Sequence, residues 1–153
     1  MDTISLNSNL SCESIKFSSI SKTETWREFE LYIAAKHWDG DHEHAVSVTS
    51  ESIFLSCELL TNLAQAIQAW LTSNDSLRLA FTGKFPLAHA SANAEFTLIF
   101  EDRSDIISSS DKTVVTSVYR IGRLAGEFIF TTDQSCLRLF ANDINRTLRV
   151  SAG

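Results

Sequence analysis

Apolar residues two apart recur along most of this chain, and in two places the spacing changes to three and four. The two periods demand different backbones. Alternation lines one face of a strand, whereas a three-and-four spacing draws a stripe down one side of a helix. Within Trp26 to Ala35, Phe29, Leu31 and Ile33 take one face and Glu28, Glu30 and Tyr32 the other. That is the pattern of a half-solvated antiparallel strand. Val46 and Val48 point inward from a strand over 45–49, and Ile53-Phe54-Leu55 forms a second short apolar run after a polar break. Leu77, Leu79 and Phe81 alternate, as do Phe96, Leu98 and Phe100, and then Leu124, Gly126, Phe128 and Phe130. Residues 114–121 are β-branched and read as a strand.

Helical spacing governs residues 56–72, where Leu59, Leu60, Leu63, Ile67, Trp70 and Leu71 make the stripe. Ser56 is suited to the N-cap, and Glu58 falls in the first turn, where the helix dipole favours a carboxylate. The opposite face, with Thr61, Asn62, Gln65 and Gln68, is polar but uncharged. A second helix runs from Gln134 to about Arg149, capped by Asp133. Its stripe is Leu137, Phe140, Ile144 and Leu148, and Arg146 and Arg149 suit the last turn.

The order is strands, helix, strands, helix, with one proline and no βαβ alternation. It predicts an α+β fold, a mostly antiparallel β-sheet with two amphipathic helices packed on it. The length of 153 residues fits a single domain, 1–153. Residues 1–25 are rich in Ser and Thr, and Ile4-Ser5-Leu6 and Ile15-Lys16-Phe17 read as short edge strands or a partly ordered N-terminal segment. Residues 37–44 read as a polar loop around a turn at Asp39-Gly40, and 102–112 as a long exposed connection. No internal repeat is evident.

A hydrophobic content of 44% is enough to offset chain entropy and excludes disorder for the bulk of the chain. No apolar run approaches the ~20 residues of a membrane span. The first residues show no secretory signal, so the expected location is cytoplasmic. The net charge is −6 and unevenly placed: residues 1–76 carry −7 and the remainder +1. Basic side chains are scattered among acids, which argues against phosphate-backbone binding. An acidic surface favours a basic protein partner through electrostatic steering.

The densest chemical cluster is His37, Asp39, Asp41, His42, Glu43 and His44. A His-x-His pair on a strand aims both rings to one side, a geometry that suits a divalent transition metal. A metal-dependent enzyme or metal-binding protein using the His37–His44 region is therefore the alternative reading. A solvated polar segment is the plainer one, since no partner motif that would complete a fixed ligand set occurs elsewhere. Cys12, Cys57 and Cys136 are widely spaced and form no metal or redox motif. Cys57 and Cys136 fall near helix starts, where a dipole lowers a thiol pKa. Buried structural thiols are the commoner outcome. Pairing either with His89 lacks any local signature. Neither a Gly-x-Ser-x-Gly elbow nor a glycine-rich phosphate loop occurs. Trp70 belongs to the helix stripe, while Trp26 and Trp38 flank a strand and are expected to be partly exposed. No catalytic residue and no cofactor follows from these patterns.

The stretch Gly126-Glu127-Phe128-Ile129-Phe130-Thr131-Thr132-Asp133-Gln134-Ser135-Cys136-Leu137 resembles a recurring feature of WapI-type immunity proteins. In that family a late strand runs into an Asp-Gln-(Ser/Thr)-x-Leu segment that opens the last helix. The earlier order, from the strand at Thr25-Trp26 to the helix containing Leu59-Leu60-Thr61-Asn62-Leu63 and Trp70-Leu71, is similar too, so that the likeness spans about residues 26–149. Proteins of this family are small, bacterial and encoded beside polymorphic or contact-dependent toxins. The resemblance implies a non-enzymatic domain that binds and neutralises a toxin. It carries over no ligand or catalytic residue. Joined to the charge asymmetry, it points to Asp39, Asp41 and Glu43 as partner-binding residues facing a basic toxin domain.

Overall fold

The computed structural model describes residues 3–8, 13–22, 25–72, 78–84, 95–102, 113–121 and 124–149. The elements are β1 (Thr3–Asn7), β2 (Ser14–Lys22), β3 (Trp26–Asp39), β4 (His42–Ser56), α1 (Cys57–Leu71), β5 (Arg78–Lys84), β6 (Glu95–Asp102), β7 (Thr113–Ile121), β8 (Leu124–Thr132) and α2 (Gln134–Arg149). The eight strands make one sheet in chain order, and every neighbouring pair is antiparallel. The fold is α+β with two amphipathic helices on the sheet. The stretches around Pro86 and over 103–112 lie outside the described residues, as do Ser73-Asn74-Asp75 and Gly122-Arg123.

The core follows from register. Leu6 faces Ile15 and Ile15 faces Ile33, while Ile4 faces Phe17 and Phe17 faces Leu31. These columns of apolar side chains lie on one face of the first three strands, and all are buried. Phe17 and Phe29 meet edge to face at 5.9 Å. Leu60, Leu63, Ala64, Ile67 and Trp70 of α1 and Leu137, Phe140, Ala141 and Ile144 of α2 join the same cluster. Leu98, Phe100 and Phe130 complete it from the second half of the chain. The N-terminal segment is thus more than a margin. β1 is an edge strand, but β2 lies between β1 and β3, and both supply fully buried side chains.

Residues 37–44 differ from the sequence reading. They form no loop: β3 continues to Asp39 and β4 starts at His42, leaving only Gly40 and Asp41 as the turn. Gly40 has φ +62 and Asp41 does not have positive φ. Positive φ at the first loop position is the II′ pattern, whose twist matches that of the strands and for which glycine is the favoured residue. β4 is also one strand where two runs were expected. A β-bulge between the Phe29/Ile53 and Leu31/Ser50 pairs absorbs the polar break and shifts the inward set by one. Val48 therefore faces the core before the bulge and Leu55 after it.

The architecture repeats, although the sequence shows no evident repeat. β1–β4–α1 and β5–β8–α2 are each a four-stranded meander ending in a helix. The helices correspond position by position: buried Leu60, Leu63, Ala64, Ile67 and Trp70 match buried Leu137, Phe140, Ala141, Ile144 and Thr147 at one constant offset. The caps match at that offset too. Ser56 Oγ accepts from Leu59 N–H at 3.0 Å, and Asp133 Oδ1 accepts from Cys136 N–H at 2.8 Å. α2 packs against α1 and against β1 of the first unit, so the two units share one core. Among the described residues, β4 and β5 are joined through the Phe54–Lys84 pair.

The edge of β1 is closed by side chains. Ser5 N–H donates to Asp143 Oδ2 at 3.2 Å, and Arg146 Nη2 donates to the Thr3 carbonyl at 3.2 Å. Thr132 Oγ1 donates to the Asn7 carbonyl at 2.8 Å. Asp143 and Arg146 are themselves ion-paired at 3.0 Å. An open strand edge is a template for unwanted pairing, and α2 covers this one.

Candidate functional site

The two units differ most in one hairpin. β3 and β4 have 14 and 15 residues, whereas the equivalent β7 and β8 have 9 each. The extra length forms an arm. Every described side chain from Trp38 to Ser47 is exposed, as is Lys36. Val46 shares the face of Val48 by alternation and was expected to point inward to the core. It is 56% exposed, because the arm has outrun the cover provided by the helices. Val48, one pair nearer the base, still packs against the core.

All three partner-binding candidates sit on this arm. Asp39 ends β3, Asp41 is in the turn and Glu43 lies on β4 opposite Trp38. Trp38 is 58% exposed. Lys36 Nζ meets Glu43 Oε1 at 3.2 Å across the two strands, a solvated pair of the kind worth about 0–1 kcal/mol. With Lys36 matched by Glu43, the carboxylates of Asp39 and Asp41 give the tip its excess negative charge. An exposed indole beside exposed carboxylates suits contact with an amphipathic, cationic surface, through stacking on cations and charge-assisted hydrogen bonds. Tyr32 and Trp26, also exposed, lie on the same strand nearer the base.

His37 pairs in register with His44, and Asp39 with His42, along the hairpin, and the side chain of His37 lies outside the described residues. Among the described residues no three His, Cys, Asp or Glu side chains come close enough to hold a metal ion.

The thiols divide. Cys57 and Cys136 are both half-buried near the starts of α1 and α2, and Cys12 lies outside the described residues. The dipole argument for a lowered thiol pKa fails at Cys136. Burial pushes its pKa up, and the neighbouring Asp133 carboxylate pushes it the same way. Cys57 lines a shallow open depression of about 350 Å³ with Thr25, Trp26, Ser56 and Glu58. His89, the base considered for either thiol, lies outside the described residues.

The paired carboxylates Glu28 and Glu30 sit on the outward face of β3, with Glu30 exposed. Trp70 is buried in the core as its place in the stripe required. No helix among the described residues is long and apolar enough to cross a membrane. No protein-family model, curated protein or solved structure matches the chain.

Proposed function

We propose that this chain is a non-enzymatic protein-binding domain, an immunity protein that neutralises a cognate bacterial toxin bearing a basic surface. The observation that carries this reading is the β3–β4 arm, which holds Asp39, Asp41 and Glu43 out around an exposed Trp38, beyond the part of the first unit that packs into the core. The resemblance to WapI-type immunity proteins and the −7 charge of residues 1–76 support the same reading. Neutralisation then occurs by occlusion: the arm covers the toxin's cationic surface and denies it to substrate. A cytoplasmic site of action belongs to this proposal, because a toxin delivered to the cell interior is met there.

Exposed interface charges act mainly on encounter, so the test is kinetic. The partner is the toxin domain encoded beside this chain's gene. Changing Asp39 and Asp41 to Asn and Glu43 to Gln together is expected to slow association by about tenfold or more at low salt and to flatten its salt dependence, with less change in dissociation. Equal association rates and equal salt slopes would remove these three residues from the interface. Absence of binding by the wild-type chain would reject the immunity reading.

A further inference from the structure

The register that builds the core of the first unit also fixes its outward face, because residues opposite one another on neighbouring strands share a face. Tyr32 lies opposite Lys16 on β2 and Thr49 on β4, and Lys16 lies opposite Ser5 on β1. One row further, Ala34 lies opposite Ser14 and Ser47, and Ser14 opposite Asn7. On the other side of Tyr32, Glu30 lies opposite Ser18. These rows face away from Phe29, Leu31 and Ile33, which are buried. Asn7, Lys16, Glu30, Tyr32, Ser47 and Thr49 are exposed, and Ser14, Ser18 and Ala34 between them are half-buried.

Three aromatic side chains stand on this floor. Trp26, Tyr32 and Trp38 all lie on β3 at even positions, so alternation puts them on the outward side together. They are 46%, 38% and 58% exposed. The core gains nothing from rings held in water, whereas aromatic residues are what protein interfaces concentrate. Around Tyr32 the floor is Ser, Thr, Asn and Ala, small side chains that leave the ring accessible and, save Ala, offer hydrogen bonds. Rigid aromatic anchors among adaptable polar contacts are the make-up of a protein-recognition surface. The floor runs about 40 Å from Trp26 to Trp38 and about 14 Å from β1 to β4, of the order of the ~800 Å² that each partner gives to a standard interface. Its charge is uneven. Glu28 and Glu30 lie between Trp26 and Tyr32, Glu43 lies opposite Trp38, and Asp39 and Asp41 end the arm, against Lys16 and Lys36.

We infer that the outward face of β1–β4, centred on Tyr32, is the surface on which a flat, basic face of the protein partner docks. This rests on the reading of the chain as a binder of a basic protein, and extends the interface from the tip of the arm down the sheet. The roles divide. The carboxylates at the tip steer the encounter, and the rings of Tyr32 and Trp38, once covered, hold the complex together. Lys or Arg side chains of the partner stack on the rings and reach Glu28, Glu30 and Glu43 beside them. Five acids against two lysines make a second copy of this face a poor occupant, because like charges would be brought together.

The test uses the full chain and the toxin domain of the kinetic experiment above. Tyr32→Ala is expected to speed dissociation by about tenfold or more and to leave the salt slope of association unchanged, the reverse of the pattern expected for the acidic tip. Tyr32→Phe keeps the ring and is expected to bind nearly as the wild type does. Thr49→Arg sets a cation beside Tyr32, against a basic partner, and is expected to weaken binding by about tenfold or more. Leu139→Arg places the same charge on α2, away from this face, where Leu139 is exposed, and is expected to leave binding unchanged. Thermal midpoints equal to that of the wild type establish that the variants are folded. Folded Tyr32→Ala and Thr49→Arg variants that bind as the wild type does, or an equal loss in Leu139→Arg, would overturn the face while leaving the basic-partner reading standing. A wild-type dimer in sedimentation that Tyr32→Ala dissociates would give the face to a second copy and overturn the basic occupant. A wild-type chain that does not bind the toxin domain would overturn the parent reading, and this inference with it.

Discussion

Asp143 shows how much one side chain can hold at the residue scale. Its carboxylate takes the Ser5 N–H and pairs with Arg146, which in turn donates to the Thr3 carbonyl. Removing it leaves a strand N–H unsatisfied beneath a helix. Asp143→Ala is expected to cost about 1–3 kcal/mol in chemical denaturation, and to raise the tendency to self-associate by uncovering the β1 edge. An unchanged midpoint and a monomer at all concentrations would show that water replaces the carboxylate without loss. Nothing in the sequence marked this role, because the contact joins positions 138 residues apart. The caps were legible for the opposite reason. Ser56 and Asp133 act within three residues of themselves, and both sit where local pattern placed them.

At the scale of elements, periodicity recovered both helices and most strands, since each needs only one face buried against one layer. Leu63 lies in the same core cluster as Phe29, Leu31 and Leu98, as the stripe implied; the side chain of Phe96 lies outside the described residues. Leu63→Ala should destabilise by about 2–5 kcal/mol. A thermal midpoint unmoved by it would contradict the packing of α1. The hairpin is the element whose sequence pattern departs from its structure. Polar and charged residues from His37 to His44 imitate a loop, because a strand exposed on both faces has no apolar alternation to announce it. The split of β4 into two runs has a related cause: a bulge shifts the period of two, and the shift reads as a break. The acidic cluster was visible in the sequence, but its projection on an arm was not.

At the scale of the whole molecule, two meander-plus-helix units share one core, and only the first carries a lengthened hairpin. Three of the five matched buried helix positions are identical, namely Leu60 with Leu137, Ala64 with Ala141 and Ile67 with Ile144. The remaining two differ, and the strands differ in length, so the repeat is hidden from inspection of the chain. The comparison of units separates what the fold needs from what was added to it. The second unit closes its hairpin after 9 residues per strand and still contributes Phe130 to the core. The first unit's arm, exposed from Trp38 to Ser47, adds no buried side chain to that core.

That division sets the decisive measurement. Replacing residues 36–45 by Asn-Gly joins Ala35 directly to Val46 through a two-residue turn, a loop suited to a main-chain-bonded closing pair. The trimmed chain and the wild type are compared for thermal unfolding and for binding to the basic toxin domain proposed as the partner. The expected result is an unfolding midpoint within a few degrees of wild type, because the described side chains removed are all exposed and none belongs to the core cluster, together with loss of toxin binding. A folded, trimmed chain that binds the toxin as tightly as the wild type would contradict the assignment of the arm as the partner-binding element.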